Sequence, residues 1–78
     1  MLLEDVRAKF VAAKHHVSPR DDVDAAAAAW FLERAPKTLA NWRSKKIGPV
    51  YIDLGRGIRY PLIGLLEYLE RLIQWVEK

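Results

Sequence analysis

In the stretch PKTLANWRSK, residues 36–45, polar and basic side chains recur every three or four positions: Lys37, Thr38, Asn41, Ser44 and Lys45. On a helix that spacing gathers them on one face. Amide, hydroxyl and amine groups presented this way are suited to the edges of nucleic-acid bases. Asn pairs bidentately with adenine and Lys donates to guanine, and the major groove is wide enough to admit the helix that carries them. The plainer alternative is a helical hairpin with a solvated polar face.

A second stretch, YIDLGRGIRYP, residues 51–61, places Arg56 between Gly55 and Gly57. Ile52 and Leu54 before the glycines, and Ile58 and Tyr60 after them, read as two short strands of a hairpin. Both glycines are expected to supply the positive φ of a tight turn. An arginine at such a tip reaches outward, where it suits phosphates or the negative potential of a narrow minor groove. The plainer alternative is a tight turn whose arginine aids solubility.

Other reactive side chains do not assemble into a catalytic set. His15 and His16 are adjacent, so on a helix they diverge by about 100° and rarely share a metal. They are expected to sit at a solvated helix end. Asp21, Asp22 and Asp24 resemble the start of a calcium loop but lack its glycine and terminal glutamate, and are expected instead to cap a helix. Gly55-Arg56-Gly57 is too short to cradle a nucleotide. No enzyme, cofactor or metal site is expected.

The chain has 78 residues, no cysteine and 51% hydrophobic residues, which suits one folded domain without disulfides or thiolate zinc sites. It carries neither a signal-peptide pattern nor an apolar run long enough to span a bilayer, and a cytoplasmic location is expected. The net charge of +3 is unevenly spread: −2 over residues 1–33, +6 over 34–59 and −1 over 60–78. A basic centre between acidic ends points to nucleic acid more strongly than the total does.

These groups need a frame. Leu3, Val6, Phe10 and Ala13 predict an amphipathic helix over 3–16, and Pro19 then breaks the pattern. A second helix is predicted from the N-cap Asp24 to Glu33, its five alanines allowing another backbone to approach closely. Pro36 opens a third helix to Lys45, with Leu39 and Trp42 facing inward, and Gly48-Pro49 stops it. The hairpin spans 50–60. After Pro61 comes a last helix, 62–76, with Leu62, Leu65, Leu66, Leu69, Leu72, Ile73 and Val76 on its apolar side.

The fold class expected is therefore mainly α with one β-hairpin, in the form of a winged helix-turn-helix with an extra N-terminal helix. Residues 1–22 would be that helix and a connector, and 23–78 the DNA-binding domain, in one compact unit. Over roughly residues 23–70 the chain resembles the winged helix-turn-helix of phage excisionases and the related MerR-like regulators. The residues that fall on the family pattern are Pro36, Thr38, Leu39, Trp42, Arg43, Gly48, Pro49, Leu54, Gly55, Arg56, Arg59 and Tyr60. Two places depart from it. The turn is Glu33-Arg34-Ala35 where the family has a glycine and a capping serine, and Gly57 stands where a basic residue is common.

The resemblance implies a sequence-specific binder of double-stranded DNA, with helix 36–45 in the major groove and wing 50–60 on the minor groove or phosphates. The expected contacts are Arg34, Lys37, Thr38, Asn41, Arg43, Ser44, Lys45, Lys46, Arg56 and Arg59. Arg59 has a second expected fate, a pair with Asp53 across the hairpin. The first functional reading is a phage or mobile-element excisionase that aids a partner integrase and also regulates transcription, as a homodimer or a cooperative array on DNA. The rivals are a regulator without a recombination role, the DNA-recognition domain of a phage packaging subunit, and, from another class, a helical protein-interaction module using Leu72, Trp75 and Val76 or the N-terminal helix.

Overall fold

A computed structural model describes the backbone of residues 2–76 and the side chains through Leu72. The elements run α1 (Leu3–Ala12), β1 (Asp22–Asp24), α2 (Ala25–Leu32), α3 (Pro36–Lys45), β2 (Ile52–Asp53), β3 (Ile58–Pro61) and α4 (Leu62–Val76). The side chains of Ile73, Trp75 and Val76, assigned above to an apolar face or a partner contact, lie outside the described residues. Among the described residues no helix is long and apolar enough to cross a membrane.

α2 and α3 begin at the residues that favour a helix start. Asp24 accepts a hydrogen bond from the Ala27 N–H at 2.8 Å and so starts α2. Pro36 takes the first position of α3, where its missing N–H costs nothing. Ala27, Ala28 and Ala29 are all buried. Three successive helix positions sweep most of the circumference, so α2 is enclosed on nearly every side, by β1, β3, α3 and α4. Alanine is what lets those neighbours approach. Ala26 and Trp30, one turn apart, lie on the exposed stripe that remains.

Two expectations change. The N-terminal helix stops at Ala12, because Ala13 leaves helical geometry and Lys14 adopts φ 65°. It packs into the rest of the chain: Val6 and Phe10 are fully buried, in one core with Val23, Phe31, Leu39, Tyr60, Leu62 and Leu65. The single hairpin is part of a three-stranded antiparallel sheet in the order β1-β3-β2. The added strand is the acidic stretch read as capping residues. Asp22, Val23 and Asp24 pair with Pro61, Tyr60 and Arg59. Val23 and Tyr60, opposite each other, point into the core, while the aspartates point to the other face. Of the three aspartates only Asp24 caps α2.

Candidate nucleic-acid interface

α3 is held by its inner face. Leu39 is fully buried, and Trp42 packs its ring 5.8 Å from that of Tyr68. Trp42 also constrains the chain just beyond the helix: a Cβ on Gly48 would come within 2.8 Å of the indole, and Gly48 itself has φ 89°. Arg43 reaches back from α3 to donate to the Tyr60 hydroxyl at 2.7 Å, with its guanidinium 6.0 Å from the Tyr51 and Tyr60 rings. This residue fastens α3 to the sheet.

The outer face is left open. Lys37, Asn41, Ser44 and Lys45 are exposed, Thr38 is half-buried, and α3 contains no acidic residue. Lys37 and Lys45 make no side-chain hydrogen bond or ion pair among the described residues. Lys46, also exposed, ends the helix in the left-handed conformation at φ 60°. The turn before α3 forms without a glycine or a capping serine. Glu33 takes the left-handed conformation itself at φ 56°, and its neighbour Arg34 closes the end of α2 by donating its N–H to the Ala29 carbonyl at 2.9 Å. Ala35 supplies no side-chain oxygen, so the positive end of α3 keeps no side-chain cap. The Arg34 side chain is exposed, beside Lys9 and Trp30.

In the hairpin the two arginines part company. Arg56 is exposed at the tip and has no side-chain partner among the described residues. Gly55 provides the turn with φ 81°, and Asp53 accepts the Gly55 N–H at 2.8 Å. Gly57 does not share the positive φ expected of it, and a side chain there would meet open space. Asp53 is thus occupied at the turn and does not pair with Arg59.

Arg59 pairs instead with Asp22. Its Nε donates to Asp22 Oδ1 at 2.8 Å and its Nη2 to the Asp22 carbonyl at 3.1 Å. Register explains the meeting. Asp22 stands opposite Pro61, so Arg59 is its diagonal neighbour on the same face of the sheet. Ser18 donates its hydroxyl to Oδ1 at 2.7 Å and Arg20 its Nε to Oδ2 at 3.2 Å. The Asp22 side chain is only 2% exposed. Burial alone pushes its carboxyl up, but the hydrogen bonds from Ser18 and Arg59 and the charges of Arg20 and Arg59 outweigh it, leaving the carboxyl below the usual range. Arg59 therefore has a structural role in the sheet, which replaces the pair with Asp53 expected of it.

Sequence reasoning missed this cluster. The alternation Asp22-Val23-Asp24 was its one local signal. Asp21 also escapes its expected capping role, forming a two-pronged pair with Arg7 at 2.9 and 2.7 Å. The hydrogen bond from Arg7 holds the Asp21 carboxyl below its ordinary value. His15 is not at a solvated helix end: it lies beyond α1, half-buried, with its ring 4.7 Å from that of Trp30. Among the described residues no group of three or more His, Cys, Asp or Glu side chains is placed to hold a metal.

The residues thus divide into an open set, Arg34, Lys37, Asn41, Ser44, Lys45, Lys46 and Arg56, with Thr38 at its edge, and a committed pair, Arg43 and Arg59. The open set can hydrogen bond and neutralise a polyanion. Comparison with protein-family models, with curated proteins and with solved structures returns no match for this chain.

Proposed function

We propose that the chain is a winged helix-turn-helix protein that binds double-stranded DNA. α2 and α3 form the helix pair, with α3 in the major groove and the β2–β3 hairpin as the wing. The observation that carries the reading is the division of α3. Its inner face is fixed by Leu39, Trp42 and Arg43, and its outer face presents Lys37, Asn41, Ser44 and Lys45 with no acid among them. A rigid helix with an open, acid-free polar face is what base readout requires. The uncapped N-terminus of α3 suits a backbone phosphate, and Arg56 suits phosphates or the adjoining minor groove.

Within that class we assign the role of an excisionase-like architectural protein that also regulates transcription and acts in the cytoplasm beside a partner integrase. This rests on the resemblance of roughly residues 23–70. The test of DNA binding is a salt series on duplex DNA. About five phosphate contacts predict a log–log slope of about −4 to −5. Binding that is absent, or insensitive to salt, refutes the reading.

A protein-interaction role is favoured by one observation. Ile47, Val50 and Ile63 are 54%, 64% and 50% exposed around the base of the hairpin. Such a module would show almost no affinity for duplex DNA at any salt concentration.

A further inference from the structure

The connector before β1 lies outside the motif that resembles DNA-binding proteins, and residues 1–33 carry net negative charge. The fold nevertheless brings part of that connector beside the hairpin. A cleft of about 650 Å³ separates the two, lined on one side by His16 and Arg20 and on the other by Arg56 and Arg59, with Ala25 and Ala26 of α2 between. Arg20 uses its Nε on Asp22, and its side chain remains 62% exposed. Asp24 is the acidic group in the lining, and its carboxylate already accepts the Ala27 N–H. Asp22 lies behind the wall, neutralised by Arg20 and Arg59.

β3 is the central strand, so the hairpin has the β2 edge leading back to α3 on one side and β1 with its connector on the other. The cleft belongs to the β1 side. It therefore flanks Arg56 from the direction that α3 does not serve. The short side chains of Ala25 and Ala26, and the bare backbone of Gly57, leave room for a bulky group to approach.

We propose that this cleft is a second backbone seat, in which a DNA phosphodiester lies between Arg20 and Arg56. The inference rests on the DNA-binding reading and extends it. The connector, through Arg20, becomes part of the interface and lengthens the track of the wing along the nucleic acid. Arg59 forms the rear of the seat and holds the hairpin wall in place through Asp22.

Two variants test it, measured by salt titration on a short random-sequence duplex with thermal melts in parallel. Ala26→Glu puts a carboxylate at the mouth of the cleft, at an exposed position in the first turn of α2 where acid suits the helix. It should fold as the wild type does and bind DNA roughly three- to tenfold more weakly. Arg20→Gln should weaken binding similarly and lower the salt slope by about one. Because Arg20 also touches Asp22, Ala26→Glu decides the matter if Arg20→Gln melts early. If Lys37→Ala weakens binding while Ala26→Glu binds as the wild type does, the cleft is no phosphate seat, although the DNA-binding reading stands. If the wild type itself shows no salt-dependent binding, both fall together.

Discussion

Arg56 and Arg59 stand three residues apart in one hairpin and have opposite fates. Arg59 is 21% exposed and its guanidinium is taken by Asp22, whereas Arg56 is exposed and has no partner among the described residues. A count of charges along the chain weighs the two equally. Their environments do not. A cation that holds a sheet together has already met its counter-charge, and only the unmatched one has an incentive to neutralise a phosphate. The same division runs through α3, where Arg43 is tied to Tyr60 and Lys45, two residues on, is open.

The largest effect should come from the structural side of that divide. Asp22→Ala leaves Arg59 half-buried without its carboxylate, and breaking a pair of this kind costs about 3–5 kcal/mol. For so small a domain that is enough to abolish a cooperative thermal transition. An Asp22→Ala variant that melts like the wild type would show that the cluster is ornamental. Acid should reproduce the loss by titration. The folded carboxyls of Asp21 and Asp22 lie below their ordinary values. Between the folded and unfolded pKa the unfolded chain binds more protons, so stability rises with pH there. The contribution is complete above the unfolded value of about 4 and drains away as pH falls through the lower folded values. Asp22→Asn should flatten the acid limb of a melting curve recorded against pH.

An intermediate effect is expected on the open face of α3. Asn41→Ala should leave the melting temperature unchanged, because Asn41 is exposed and contributes nothing to the core. It should cost about 1–3 kcal/mol on the preferred site and little on random DNA. Equal losses on both, read by competition binding, would make Asn41 a backbone contact. The smallest effect belongs to the hairpin tip. Gly57 has no positive φ and open space around it, so Gly57→Lys should be tolerated structurally. It should tighten binding to any duplex and steepen the salt slope by about one. Gly55→Lys, by contrast, should be strained, because Gly55 holds φ 81°.

How much of this was legible in the sequence depended on distance along the chain. The helices α2, α3 and α4 announce their starts through adjacent residues, Asp24, Pro36 and Pro61, whereas α3 ends at Lys46 in the left-handed conformation, before the expected Gly48-Pro49. The open face of α3 was equally readable, because helical spacing alone sorts Lys37 and Asn41 from Leu39 and Trp42. β1 was not. It is three residues long, and the partner that makes it a strand stands nearly half the chain away, with Asp22 and Arg59 separated by 37 positions. Register decides which carboxylate meets Arg59, and register is a tertiary fact. Asp53 lies closer in sequence, but the turn claims it through the Gly55 N–H. The end of α1 was obscured for a related reason: Ala13 continues an apolar pattern that the backbone abandons at Lys14.

The central claim is that DNA binding uses the cations that stay exposed, Arg56 foremost, and not Arg59, whose guanidinium is taken up by Asp22 in the sheet. Its most direct test is a parallel salt titration of wild type, Arg56→Ala and Arg59→Ala on one duplex, with a thermal melt of each. Arg56→Ala should keep the wild-type melt and lose about one unit of salt slope. Arg59→Ala should melt earlier and, at a temperature where it remains folded, keep the wild-type slope. An Arg56→Ala slope equal to the wild type, with the loss appearing in folded Arg59→Ala instead, would contradict the account.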